Sequence, residues 1–212
     1  MGKAKNKAAA EPRLKDTTRT KTQSTIRIIA GEWRRRRVPV PLGHQVRPSG
    51  DRARETLFNW LAPYISGARC LDLYAGSGVL AFEALSRGAK HATLLDKDHR
   101  TINQITETAR DLKIPPHQSA SIIHTDATNW LMNNRTEKFD VIFLDPPFDS
   151  GLLEKTLNLL VPGWLTDSAL VYVETAGEIE KLPLPGGLEW TKRSQIGNVG
   201  IGLAAKRAEI EQ

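Results

Sequence analysis

Hydrophobic positions along this 212-residue chain do not begin to repeat until Ile26. Residues 1–25 are dominated by Lys, Ala, Thr and Arg, and so little apolar surface cannot offset the entropy of ordering a backbone. A disordered basic tail is expected there. Ile26, Ile28 and Ile29, a turn at Gly31-Glu32, and the run from Trp33 to Val40 read as a short hairpin stopped by Pro39 and Pro41. Arg34, Arg35, Arg36 and Arg37 then fall on its second strand. Arg47-Pro48-Ser49-Gly50 reads as a turn, and Asp51 is placed to cap a helix that carries Ala53, Leu57, Phe58 and Leu61 on one face and ends before Pro63.

Beyond residue 66 strand and helix patterns alternate. Strands are predicted over 69–74, 91–96, 120–124, 139–144 and 168–174, with helices near 78–87, 98–112, 127–134 and 151–161 between them. The first four strands are apolar or β-branched with little polar alternation, as expected of strands covered on both faces. This predicts an α/β, doubly wound, mostly parallel sheet. The last section departs from the pattern: Leu188 to Ile196, a Gly197-Asn198 turn and Val199 to Ala205 form a hairpin instead of another crossover. The expected fold is therefore a seven-stranded sheet with a C-terminal antiparallel hairpin and a small N-terminal hairpin-helix extension. That is the architecture of class I, Rossmann-like methyltransferases; ordinary dinucleotide-binding domains usually lack the hairpin. The expected division is a tail over 1–25, an N-terminal unit over 26–66 and a cofactor-binding domain over 67–212.

Composition narrows the class. Cys70 is the single cysteine, which excludes an internal disulfide framework and a cysteine-rich zinc site and points to a reducing cytoplasm. No apolar run reaches the ~20 residues that span a bilayer. Charge is unevenly placed: residues 1–25 hold seven Lys/Arg against two Asp/Glu, residues 26–54 eight against two, and the remainder fifteen against twenty. A basic N-terminal region on a slightly acidic body suits a polyanion, and Trp33 beside Arg34 to Arg37 pairs stacking surface with phosphate-binding charge. A solvated hairpin remains the plain alternative. Arg47, Arg52 and Arg54 are open to either reading, as phosphate contacts or as partners of Asp51 and Glu55. Phe58, Trp60, Trp130 and Trp164 lie in apolar periodic segments and are expected in the core.

The sequence Asp72-Leu73-Tyr74-Ala75-Gly76-Ser77-Gly78 leads from a strand into a helix. Its glycines let the backbone turn sharply beneath a ligand, and the helix N-terminus offers unpaired N–H groups. Asp96 ends the next strand, where a carboxylate can accept both ribose hydroxyls. Asp72 precedes the glycines, where it can face the ammonium and sulfonium end of S-adenosylmethionine and would repel a pyrophosphate. Asp126, in front of Ala127, can reach an adenine amine. Each acid also has a structural alternative, Asp72 as a turn former and Asp126 as a helix N-cap.

Asp145-Pro146-Pro147-Phe148 follows the apolar strand 139–144 and is the most specific feature of the sequence. The amine of a nucleobase is a poor nucleophile because its lone pair is delocalised into the ring. Asp145 can accept one amine hydrogen and the Pro146 carbonyl the other, which aims the nitrogen at a methyl carbon. Two prolines stiffen the loop, and Phe148 offers a face for stacking the extruded base. The five histidines, His44, His91, His99, His117 and His124, lack metal-ligand spacing, and no metal is expected.

From Ile26 onward the chain resembles the bacterial 16S ribosomal RNA guanine-N2 methyltransferase family of the RsmD type. The likeness is carried by Arg27-Ile28-Ile29-Ala30-Gly31-Glu32-Trp33-Arg34, by Arg47-Pro48 with Asp51-Arg52-Ala53-Arg54-Glu55-Thr56-Leu57-Phe58-Asn59-Trp60-Leu61, by the glycine loop with Glu83-Ala84-Leu85-Ser86-Arg87-Gly88-Ala89, and by Asp145-Pro146-Pro147-Phe148. It departs at Asp96, where relatives often carry Glu, and at Asn198, where many carry Gln. The resemblance implies a cytoplasmic, S-adenosylmethionine-dependent enzyme that methylates a loop guanine, with 16S ribosomal RNA in a partly assembled small subunit as partner; a monomer is expected. It also implies that the N-terminal block, with Arg27 through Arg54, helps to grip RNA and cofactor. The competing readings are an adenine-N6 methyltransferase acting on RNA or DNA, and a non-catalytic RNA-binding assembly factor.

Overall fold

Strands that run apolar without alternation need cover on both faces, and the chain supplies it by returning a helix after each one. The computed structural model describes residues 24–41, 50–133, 137–148 and 150–207. Residues 1–23, the Arg47-Pro48-Ser49 turn and Arg47 itself lie outside the described residues. The elements are β1 (Thr25–Arg27), β2 (Arg37–Pro39), α1 (Gly50–Leu61), β3 (Arg69–Asp72), α2 (Val79–Ser86), β4 (His91–Asp96), α3 (His99–Leu112), β5 (Ser119–His124), α4 (Ala127–Asn133), β6 (Phe139–Leu144), α5 (Leu152–Leu160), β7 (Leu165–Ala176), a 3₁₀ turn (Ile179–Lys181), β8 (Leu188–Ile196) and β9 (Val199–Lys206). The main sheet has seven strands in the order β5-β4-β3-β6-β7-β9-β8, parallel up to β7, with β9 and β8 antiparallel. The strand order reverses at β3, between β4 and β6. In open α/β sheets that crevice, at the carboxyl ends of the strands, is where ligands bind.

One face of the sheet packs Cys70, Leu94, Phe143, Tyr172 and Leu203 against α1, α2 and α3; the other packs Leu71, Leu95, Ile142, Val171 and Ala204 against α4 and α5. Each fully buried Phe or Leu of this kind contributes roughly 1.5–3 kcal/mol of transfer free energy. Phe58, Trp60, Trp130 and Trp164 all belong to this packing as expected, Trp130 and Trp164 with ring centroids 4.5 Å apart. β5 is the exception to full cover. It is an edge strand, and its residues are half-buried at most. Among the described residues no helix is long and apolar enough to cross a membrane.

The N-terminal segment differs from the sequence reading. The β1–β2 hairpin has only three pairs, from Thr25 with Pro39 to Arg27 with Arg37, and residues between them turn instead of continuing the ladder. Ile28 N–H donates to the Arg36 carbonyl at 2.9 Å, and Arg35 N–H donates back to the Ile28 carbonyl at 2.9 Å. Arg34, Arg35 and Arg36 therefore lie in the turn and only Arg37 on the strand. Asp51 falls inside the first turn of α1 and pairs with Arg54 at 3.0 Å, so it is not the N-cap.

This turn is clamped onto α2. Both carboxylate oxygens of buried Glu83 accept backbone N–H groups, from Ile29 at 2.7 Å and Ala30 at 3.0 Å, and Arg87 completes the site at 2.8 Å. The Ser86 hydroxyl donates to the Ala30 carbonyl at 2.6 Å and accepts from Trp33 N–H at 2.9 Å. Gly31 sits against the same helix with φ +82°, and a Cβ there would stand 1.8 Å from the Ser86 carbonyl oxygen. No side chain fits that approach.

Candidate active site at the carboxyl edge of the sheet

Four carboxylates line up along the crevice. Asp72 ends β3, Asp96 ends β4, Asp126 follows β5 and Asp145 follows β6. The loop between Asp72 and α2 is fixed by backbone bonds, Ala75 N–H to the Leu95 carbonyl at 2.9 Å and Gly78 N–H to the Ala75 carbonyl at 2.6 Å. Gly76 (φ +52°) and Gly78 (φ +76°) hold left-handed conformations, and a Cβ on Gly78 would meet the Phe82 ring at 2.9 Å. The sharp turn at the head of α2 thus depends on glycine. Ala75 is buried, Ser77 is half-buried with its hydroxyl near Val79 N–H at 3.4 Å, and Tyr74 bonds its hydroxyl to Thr156 of α5 at 2.7 Å.

Asp72 is only 3% exposed, and its Oδ2 has no hydrogen-bond partner among the described residues. Burial, reinforced by the charge of Asp96, pushes its carboxyl up to about 7, against the opposing pull of the Tyr74 and Ala81 N–H groups. A desolvated acid with one unpartnered oxygen beneath a glycine turn is a group that a cation would stabilise in its charged form. Asp96 accepts from Gly76 N–H at 3.0 Å through Oδ2 and from Asp98 N–H at 2.8 Å through Oδ1. It braces the loop as well as edging the crevice. Asp126 is the N-cap that the plain alternative anticipated: Asn129 N–H and the Thr128 hydroxyl donate to its Oδ1 at 3.0 and 2.7 Å. Those bonds, Asn129 foremost, hold its carboxyl below the usual range. Ala127 beside it is buried in the first turn of α4.

At the end of β6, Asp145 is half-buried, Pro146 buried, Pro147 exposed and Phe148 half-buried against the core. The Ser150 hydroxyl ties the loop to α5, donating to the Pro147 carbonyl at 2.6 Å and lying 3.3 Å from Leu152 N–H. Pro146, Pro147 and Phe148 line a shallow cleft together with Glu174, Thr175 and Ala176 at the end of β7. Sequence reasoning did not single out Glu174. It is an acid closing an apolar strand, the pattern already present at Asp72 and Asp96, and that was the available signal.

The predicted RNA-binding set divides. Arg27, Arg34, Arg35, Arg36, Arg37 and Arg52 are exposed, with Arg36 also donating to the Asp111 carbonyl at 2.6 Å. Trp33 is 4% exposed and packs in the core with Ile28, Val38 and Phe58, so it offers no stacking face. Arg54 is likewise 4% exposed; it donates to the Arg27 carbonyl at 2.8 Å and pairs with Asp51, tying α1 to β1. Its place in the apolar stripe 53, 54, 57, 58 and 61 was the sequence signal for burial.

The strand order, the glycine turn at the switch point and the antiparallel hairpin β8–β9 define a class I methyltransferase fold. The chain belongs to the family described as conserved hypothetical protein 95, whose pattern matches residues 26–204, and the resemblance read in the sequence is thereby borne out. It is 43% identical over 187 residues to ribosomal RNA small subunit methyltransferase D of Escherichia coli, spanning 88% of this chain and 92% of the relative. Against the protein of the same name in Haemophilus influenzae identity is 46% over 182 residues, 84% of this chain and 92% of the relative. The solved structure of Escherichia coli yhhF superposes with a TM-score of 0.77 at 41% identity, covering 88% of this chain and 100% of that one.

Proposed function

We propose that the chain transfers a methyl group from S-adenosylmethionine to the N2 amine of a guanine in small-subunit ribosomal RNA. The observation that carries this reading is the Asp145-Pro146-Pro147-Phe148 loop, standing at the same sheet edge as the buried Asp72 carboxylate, whose Oδ2 has no partner among the described residues, and the glycine turn. Bound at that turn, S-adenosylmethionine supplies a methyl group already activated by its sulfonium. Asp72 faces the cationic end, Asp96 the ribose hydroxyls, and Asp126 the adenine amine. Tyr74, Ala75, Gly76, Ser77, Gly78 and Ala127 shape the bed. Asp145 and the Pro146 carbonyl accept the two amine hydrogens of the target base, so that the nitrogen is held in line and the positive charge developing on it is stabilised. Phe148 stacks the base.

Support for ribosomal RNA comes from relatives at 43% and 46% identity that carry that substrate in their names. Guanine N2 rests on the family resemblance of the block from Arg47 to Leu61. With that substrate a cytoplasmic monomer acting on a partly assembled small subunit is the fitting context. Small subunits from a strain lacking the protein, incubated with it and labelled S-adenosylmethionine and digested to nucleosides, are expected to yield N2-methylguanosine. Label in N6-methyladenosine alone would overturn the base assignment.

The exposed arginines of the N-terminal turn supply the electrostatic grip in this reading. Affinity for RNA is then expected to fall steeply with salt, and changing Arg34, Arg35, Arg36 and Arg37 to Gln should flatten the log–log slope by about three, at roughly 0.7 per phosphate on single-stranded RNA. A filter-binding series from low to high salt gives the slope. A slope equal to that of the unaltered protein would place the RNA surface elsewhere.

A further inference from the structure

One acid at the sheet edge has no part in the scheme above. The last pairs between β6 and β7 are Phe143 with Tyr172 and Leu144 with Val173. Asp145 directly follows Leu144 and Glu174 directly follows Val173, which brings the two acids to the same end of the sheet. Side chains alternate across a strand, so Tyr172 and Glu174 share the face occupied by Phe143. Glu174 lines the same cleft as Pro146, Pro147 and Phe148. The buried Tyr172 hydroxyl donates to Glu174 Oε1 at 2.7 Å, which fixes the carboxylate's orientation by a bond from the core. That phenol is held neutral, its ionisation opposed by burial first and then by the charges of Glu174 and Asp145, so it remains a donor.

The chemistry of the base decides what a second acceptor at this place would do. Guanine carries N1–H immediately beside its N2 amine, two donors on one edge. Adenine carries an N1 lone pair beside its amine, which a carboxylate repels. We propose that Glu174 is the residue that selects guanine, its carboxylate accepting N1–H of the base whose amine is held by Asp145, an assignment that rests on the guanine-N2 reading above. Tyr172 is then a positioning residue that keeps Glu174 aimed into the cleft.

The test uses 2-aminopurine, which keeps the N2 amine and replaces N1–H by a lone pair. Small-subunit RNA carrying either guanine or 2-aminopurine at the mapped target, assembled into subunits, is offered to the full-length protein. The unaltered protein is expected to prefer guanine by roughly tenfold or more, since a site built to hydrogen-bond a donor rejects the analogue lacking it. Glu174→Gln, whose amide can donate to the N1 lone pair, should move that ratio toward 2-aminopurine by roughly tenfold or more, with the S-adenosylmethionine Kd and the thermal midpoint unchanged. Tyr172→Phe should shift it in the same direction by less. A ratio that Glu174→Gln leaves unmoved, while the unaltered protein makes N2-methylguanosine, removes Glu174 alone. Methylation of adenosine by the unaltered protein overturns Glu174 and the guanine reading together.

Discussion

Replacing Asp145 by alanine is expected to lower kcat by roughly 10²- to 10³-fold, the usual cost of removing one preorganised group that answers charge developing in a transition state. The S-adenosylmethionine Kd should not change, because Asp145 follows β6 while the glycine turn and Asp72 are carried by β3. Single-turnover methylation of small subunits at saturating S-adenosylmethionine measures the first quantity, and calorimetry the second. The contrast matters more than either number: an Asp145→Ala protein that turned over at the original rate would remove the amine-positioning role and leave the loop as a proline-stiffened turn.

Asp72→Asn is expected to act with opposite signs on stability and on binding. A buried carboxyl whose folded pKa is raised contributes stability that is fully present below its unfolded value, 3.8, and is lost as pH rises through about 7. The unligated protein therefore carries the cost of an ionised Asp72 at pH 8, on the order of 4 kcal/mol at most from a shift of that size. Asn is neutral at every pH, so the melting temperature of Asp72→Asn relative to the original protein should climb between about pH 4 and pH 7 and stay level above. The S-adenosylmethionine Kd at pH 8 should meanwhile rise roughly thirtyfold or more, the cost of removing one partner from a buried charge pair. Unchanged affinity would detach Asp72 from the cofactor. Thermal melts across this pH range and calorimetry at pH 8 separate the two effects.

Much of this arrangement is legible before any coordinates. Strands 91–96 and 139–144 coincide with β4 and β6 because an apolar run between helical patterns has few other ways to be buried. Asp72, Asp96 and Asp145 follow from the same logic, since each sits where a strand stops. The N-terminal turn was harder. An aromatic beside four arginines looks like an RNA surface, yet Trp33 points inward because bonds from Ser86 and Glu83 on α2, more than fifty residues away, set the path of the backbone there. Nothing local encodes that clamp. Glu174 escaped for a similar reason: its significance lies in the β6–β7 register, which joins residues some thirty positions apart. Asp126 was open to two readings, and the bonds from Thr128 and Asn129 to its Oδ1 bear out the structural one, the helix cap.

The clamp on α2 bears on how such enzymes could be re-engineered. Ile28, Trp33 and Val38 fill the same cluster as Phe58 and Phe143, and the turn that carries the exposed arginines is fastened by Glu83 and Ser86 of the helix that begins at the glycine turn. The N-terminal arm is thus no detachable module. Exchanging it for the arm of a relative with a different target would require transplanting the matching face of α2 as well, and a graft cut at the linker before β3 would leave a hydrophobic wound on the donor and an unmatched one on the recipient.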